Sequence, residues 1–225
     1  LAKILVDEGG LTTPYYIFPN SIDTKKYRHA RAIDSPIAKK RGEKFIICVA
    51  RLSPEKRQMA LVEAMPHIAD ETIKLVLVGG GPYERELRDR VAELGLEDRV
   101  IFTGMCSSAQ VASLLKQADV FALASYHFDN QPMTFLEAAA AGLPIVYCDE
   151  RLTEALTPKN SILTGGIEGE DFARVLTDIL SDREKLKRLS AGALRVAKAF
   201  DSETMAKKLV GLYQRLIDAR RELEE

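Results

Sequence analysis

The feature that most constrains this chain is an alternation. From residue 45 onward, short continuous apolar runs take turns with longer stretches whose apolar residues recur at helical spacing. The runs are residues 45–50 (FIICVA), 75–78 (LVLV), 100–103 (VIFT), 120–123 (VFAL) and 145–148 (IVYC), with 161–164 as a sixth. A strand that is apolar on both faces must be covered on both, which is the condition of a parallel sheet between helices. Helical stretches at 58–68, 83–94, 108–117 and 134–141 supply the crossovers. The predicted fold is therefore α/β, a doubly wound parallel sheet. Residues 170–225 read as a helical C-terminal tail, with breaks near Asp182 and Asp201 and with Ser202 capping the last helix.

Composition narrows function more than fold. The 32 Lys and Arg nearly balance the 33 Asp and Glu, for a net charge of −1, which argues against a surface built for nucleic acid. No apolar run approaches the roughly 18–20 residues that cross a bilayer, and no signal-peptide pattern opens the sequence. Cys48, Cys106 and Cys148 lie in or beside apolar runs without C-x-x-C spacing. That is the usage expected of reduced core thiols in an intracellular protein. Ahead of the alternation, residues 15–18 look strand-like, while 6–10 and 32–40 look like loop or linker.

In a doubly wound sheet, ligands sit beyond the carboxyl ends of the strands, so the loops there are where chemistry is sought. After the first run, Arg51 and Lys56 flank a tight Ser-Pro-Glu turn. A planar fork of donors and a mobile ammonium suit a polyanion, although a solvated turn with Arg51 paired to Glu55 reads as well. After the second come Gly79, Gly80 and Gly81, then Pro82 and a helix. Such a turn allows close backbone approach and phosphate binding at a helix start, and is equally common as a purely structural turn. It is neither a P-loop nor G-x-G-x-x-G. Met105 and Cys106 follow the third strand, where backbone meeting a ring edge and simple packing are both open.

The fourth loop carries most information. Asp129, Asn130, Gln131, Pro132, Met133 and Thr134 lead into a helix that bears Glu137. Asp129 and Glu137 bracket the helix start and can face one crevice, or Asp129 or Asn130 can simply cap the helix. Four alanines after Glu137 let the helix lie close on the sheet, and Gly142 ends it. An acid pointing inward from so small-sided a helix needs a partner, and two ribose hydroxyls would serve. His127 reads as an exposed or packing residue.

Taken in order, these loops resemble the C-terminal half of GT-B glycosyltransferases, in particular the retaining family 4, glycosyl transferases group 1. Arg51 and Lys56 match the family's Arg-Leu-x-x-x-Lys, and residues 78–82 its Gly-x-Gly-Pro turn. Residues 102–104 match Phe-x-Gly, and residues 118–125 resemble its "advfvlpS" strand. Asp129 through Glu137, continuing to Gly142 and Pro144, match Glu-x7-Glu followed by Glu-Ala-x-Ala-x-Gly-x-Pro. Residues 17–23 resemble the family's Pro-Asn-Gly-Val-Asp segment, where the chain passes between halves. Three departures stand out. Asp129 replaces a Glu, Asn130-Gln131-Pro132 replaces a glycine-rich turn, and the acids Asp149 and Glu150 follow the fifth strand, where they would repel a diphosphate unless turned outward.

The resemblance implies a Rossmann-like domain that transfers a sugar from a nucleoside diphosphate to a glycan, lipid or other acceptor, with retained anomeric configuration. It implies Arg51, Lys56 and Asp129 as the catalytic set, the two cations on the diphosphate and Asp129 on sugar hydroxyls. It assigns Gly80, Gly81, Met105, Cys106, Asn130, Gln131, Pro132, Met133, Thr134 and Glu137 to binding the nucleotide sugar, with Glu137 on the ribose. No cofactor and no metal are expected, and the sequence holds no Asp-x-Asp triplet. The expected donor is a UDP-sugar, with GDP- or ADP-sugars as alternatives. The implied division is residues 1–43 as the end of the acceptor half and linker, 44–200 as the donor-binding domain, and 201–225 as a helix returning toward the absent half. The acceptor, glycan or glycolipid, would be held by that half, with no nucleic-acid partner. The expected location is cytoplasmic, at the inner face of the membrane for the longer protein by peripheral association. Rival readings are a nucleotide-sugar epimerase or phosphorylase on the same fold, and a nucleotide-binding module without chemistry. Alone, the chain is expected to bind donor and transfer nothing. Its apolar side around Tyr15, Tyr16 and Phe18 is expected to cover Leu209, Leu212 and Tyr213 of the last helix or to pair between copies.

Overall fold

All six apolar runs become strands in a computed structural model, which describes residues 15–31 and 34–224 together with residues 6, 9, 10 and 12. The loop expectations for residues 6–10 and 32–40 fall partly outside the described residues. The strands are β1 (Lys44–Val49), β2 (Ile73–Val78), β3 (Val100–Gly104), β4 (Val120–Leu123), β5 (Ile145–Tyr147) and β6 (Ser161–Leu163). They form one sheet in the order β3-β2-β1-β4-β5-β6, with every pairing parallel. β1 is central, with Ile46 opposite Leu75 on one side and Val120 on the other. Successive strands are added on one side of β1 up to β3 and on the other from β4 onward, so the loops that follow β1 and β4 part there and leave a crevice.

The helices are α1 (Thr24–Arg28), α2 (Gln58–Ala64), α3 (Glu84–Glu93), α4 (Ser108–Gln117), α5 (Met133–Ala141), α6 (Gly169–Ser181), α7 (Arg183–Ala199) and α8 (Ser202–Glu224). Burial explains the strand sequences, since Phe45, Ile46, Ile47 and Cys48 of β1 are all buried. Ala138, Ala139, Ala140 and Ala141 are buried too, and their small side chains let α5 approach both sheet and α7. Gly142 closes that helix in the left-handed conformation, with φ 84°. The methyl that any other residue would carry there meets Leu194 at 3.4 Å.

Four local details differ from expectation. α2 stops at Ala64, and Met65–His67 tightens into a 3₁₀ turn, because Pro66 has no N–H to continue the helix. Ser202 is the first helical residue of α8 and not its cap. The cap is Asp201, whose carboxylate accepts from the Glu203 N–H at 3.1 Å and from the Thr24 hydroxyl at 2.5 Å. Residues 15–18 form no strand, and Tyr15, Tyr16, Ile17 and Phe18 are exposed. They do not cover the last helix either, since Tyr213 is exposed beside Val210, Leu216 and Ile217 while Leu212 is buried. Finally, α1 had no sequence signal. Asp23 caps it by accepting from the Lys25 and Lys26 N–H groups, and buried Tyr27 anchors it.

Candidate functional site

The loops after β1 and β2 are laced together by backbone. Leu52 donates to the Gly80 carbonyl at 3.1 Å, and Tyr83 donates to the Leu52 carbonyl at 3.1 Å. A Cβ on Gly79 would lie 2.2 Å from the Ala50 carbonyl oxygen, and one on Gly81 would lie 2.1 Å from that of Leu52. Gly79 also has φ 133°, which side chains rarely adopt. Contact between two loops thus accounts for Gly79 and Gly81. Gln58, wholly buried, donates its side-chain amide to the Arg51 carbonyl at 2.7 Å and fixes the turn from below. Arg51 itself is exposed, and among the described residues no ion pair joins it to Glu55.

Beside this lacing lies a cleft of about 510 Å³ whose lining includes Ala50, Arg51, Gly80, Met105, Cys106 and Thr134. Met105 is 81% exposed, far more than a packing residue would be. Arg51, Gly80, Met105, Cys106 and Thr134, one or more from each of the four loops, therefore meet at one place, while Gly81, Lys56, Glu137 and residues 129–133 are not part of that lining. Cys106 is half-buried, whereas Cys48 and Cys148 are buried, and burial pushes both of those thiols up to about 12.

The fourth loop meets the first across the switch point. Lys56 Nζ lies 2.6 Å from Asp129 Oδ1, with the two side chains only 17% and 14% exposed. The ammonium also sits 4.8 Å from the centroid of the exposed Phe128 ring, a cation–π contact. Asp129 Oδ2 and Gln131 Nε2 are buried without a hydrogen-bond partner among the described residues. The N-cap of α5 is Pro132 with no side-chain capping bond, so neither Asp129 nor Asn130 caps the helix. Asn130 and Met133 are exposed, and Pro132 is half-buried.

Glu137 has a partner within the chain, one that sequence reasoning missed. The Tyr27 hydroxyl donates to Glu137 Oε1 at 2.8 Å. Burial first, and then the Glu137 carboxylate beside it, hold the Tyr27 phenol well above its ordinary value. Asn20 also reaches the fourth loop, donating its backbone N–H to Gln131 Oε1 at 2.7 Å. These partners lie more than a hundred residues away along the chain, and no local pattern signals them.

Asp149 corrects a further expectation. It is turned inward and fully buried, accepting from the His127 N–H at 2.7 Å and pairing with Arg151 at 2.8 Å. Burial alone would raise its carboxyl. The Arg151 and backbone hydrogen bonds outweigh that and hold it below the usual aspartate value. Its charge is thus neutralised, and it shapes the fourth loop, where His127 takes φ 57° and its ring stacks 3.9 Å from Tyr126. Glu150 faces solvent.

A second groove, of about 490 Å³, is lined by Glu63, His67, Arg90, Glu168 and Glu170 among others. Three carboxylates make it hostile to a phosphate.

Residues 30–196 match the family model described as "Glycosyl transferases group 1". The chain belongs to that family. Among curated relatives of this group 1 chain is the "GDP-mannose-dependent alpha-(1-6)-phosphatidylinositol monomannoside mannosyltransferase" of Mycobacterium tuberculosis. It is 30% identical over an alignment of 205 residues that covers 85% of this chain and 53% of that protein. Among solved structures, Anabaena Alr3699/HepE in complex with UDP matches with a TM-score of 0.84 and 23% identity, over 95% of this chain and 61% of that one. The C-terminal domain of a "Glycosyl Transferase Group 1 Family Protein (LpcC)" from Francisella tularensis matches with a TM-score of 0.69 and 20% identity, over 79% of this chain and 97% of that one. The structural likenesses establish the fold. The chain spans about half the length of the curated relatives it matches. No helix among the described residues is long and apolar enough to cross a membrane.

Proposed function

We propose that this chain is the donor-binding half of a retaining glycosyltransferase and binds a nucleoside diphosphate sugar at the β1–β4 switch point. The observation that carries this reading is the meeting of Lys56 with Asp129, whose two loops also supply Arg51 and Thr134 to the cleft lined with Gly80. The group proposed for the phosphates and the group proposed for the sugar lie 2.6 Å apart. They converge where, in a bound donor, the sugar would join the diphosphate. Lys56 has three donors and gives one to Asp129, which leaves two for phosphate oxygens. Departure of the nucleoside diphosphate builds charge on its bridging oxygen, and fixed cations stabilise that charge without reorganising. Arg51 and Lys56 take that role, Asp129 orients sugar hydroxyls, and Glu137 accepts from the ribose. Gly80, Met105, Cys106 and Thr134 line the nucleotide's path.

Residues 44–200 are the donor domain in this proposal, with residues 1–43 and 201–225 connecting it to an acceptor-binding half. Names of relatives that mention phosphatidylinositol and diacylglycerol support a lipid or glycan acceptor, and a place at the inner membrane face is proposed with it. Both UDP- and GDP-sugars are supported, since UDP complexes and a GDP-mannose-dependent enzyme stand among the similar proteins. A thermal-shift and calorimetric panel of UDP, GDP, ADP and their sugars decides the nucleotide. Binding of at least one, with donor hydrolysed slowly at most and no acceptor-dependent transfer, is the expected result. Absence of binding by all of them, or transfer by this chain at the rate of the longer protein, contradicts the proposal.

A further inference from the structure

We infer that Tyr27 is a positioning residue of the donor site, holding Glu137 in the orientation that receives the ribose. The inference rests on the ribose role proposed for Glu137. Tyr27 lies outside the sheet on α1, a helix of five residues that is too short to hold itself. Its surroundings hold it instead. Asp23 caps it, the Thr24 hydroxyl binds Asp201, Ile22 bridges to Asp201, and α1 packs on both α4 and α5. Tyr27 is 3% exposed, so a phenylalanine would fill the same space without burying a hydroxyl. The hydroxyl donates to Glu137 Oε1 at 2.8 Å, and the Ser108 side chain, on α4, also hydrogen-bonds to it. The same segment donates the Asn20 N–H to Gln131, six residues earlier in the loop that leads to Glu137. Two bonds thus tie this segment to the Asp129–Glu137 stretch.

A glutamate on a helix otherwise samples several rotamers, and a ligand must immobilise it on binding. Fixing it beforehand removes that cost, which corresponds to an affinity gain of about 2- to 13-fold. The test is calorimetry on the 225-residue chain with UDP and GDP, their 2′,3′-dideoxy analogues and inorganic pyrophosphate. Tyr27→Phe is expected to weaken the tighter-binding nucleotide by about 2- to 13-fold and to leave its dideoxy analogue and pyrophosphate unchanged. Unchanged pyrophosphate binding also shows that the variant is folded. Equal weakening of all three ligands would mean a merely structural tyrosine and overturn the inference. So would unchanged nucleotide affinity in Tyr27→Phe while Glu137→Gln loses affinity, with the ribose role of Glu137 left standing. If Glu137→Gln also binds the nucleotide normally, the ribose role itself fails and takes the inference with it.

Discussion

Two loops at the same edge of the sheet use their residues in opposite ways. The loop after β2 spends its backbone groups on its neighbours, the loops after β1 and β3. Its glycines touch the backbone of the β1 loop, and Gly79 donates to the Gly104 carbonyl at 3.0 Å. The loop after β4 is held from outside, by Asp149 under His127 and by Asn20 at Gln131. It leaves Asp129 Oδ2 and Gln131 Nε2 buried without partners among the described residues, and Phe128 exposed. Buried polar atoms without partners are uncommon in native folds and costly. The loop after β2 is scaffold, and the loop after β4 holds unused hydrogen-bonding capacity.

Substitution can break that contrast, and the scaffold side carries the largest effect. Gly79→Ala places a methyl 2.2 Å from the Ala50 oxygen at φ 133°. A loss of about 3–5 kcal/mol in unfolding free energy is expected by chemical denaturation. A wild-type midpoint would mean that the two loops are not in the contact described.

Next comes the support beneath the fourth loop. Asp149→Ala removes the acceptor of the His127 N–H and the partner of Arg151, at a cost of about 2–3 kcal/mol. The effect depends on pH. The Asp149 carboxyl titrates in the folded chain below its ordinary 3.8, so its contribution is complete above that value. It is lost as pH falls toward the folded value. Wild type should therefore approach the variant's stability in acid, and a gap that persisted below the folded value would contradict this account.

The ligand side follows. Arg51→Ala and Lys56→Ala should each weaken nucleoside diphosphate binding about 10- to 150-fold, the worth of a charge-assisted contact. Exposed Arg51 should leave stability within about 0.5 kcal/mol of wild type. Calorimetry and a melting curve on the same samples separate the two effects. Asp129→Asn sharpens the comparison with the smallest change and an unusual sign. It frees Lys56 from its ion pair, so the bare nucleoside diphosphate should bind about 2- to 5-fold tighter. The preference for one sugar over another should fall at the same time. Weaker binding of the bare diphosphate would place Asp129 on the nucleotide.

Much of the fold was legible because parallel strands buried on both faces advertise themselves as apolar runs, as Phe45, Ile46, Ile47 and Cys48 do. Residues 15–18 are as apolar, but they join no strand among the described residues and stay exposed. The reverse holds for α1, whose five residues show no periodicity and owe their helix to Asp23, Asp201 and the burial of Tyr27. At the candidate site, Arg51, Lys56, Asp129 and Glu137 are proposed from their places after strands. Their partners were not legible in the sequence. Tyr27 for Glu137, Asn20 for Gln131 and Asp149 for His127 are contacts between residues far apart in sequence. The inward turn of Asp149 reversed the meaning of an acid that had read as a liability.

The central claim is that the ligand occupies the β1–β4 switch point, and backbone amide NMR on the chain titrated with a nucleoside diphosphate tests it most directly. The account predicts shifts concentrated at Arg51 and Lys56, Gly80, Met105 and Cys106, and from Phe128 to Glu137. Shifts concentrated instead at Glu63, His67, Arg90 and Glu168, around the acidic groove, would contradict it.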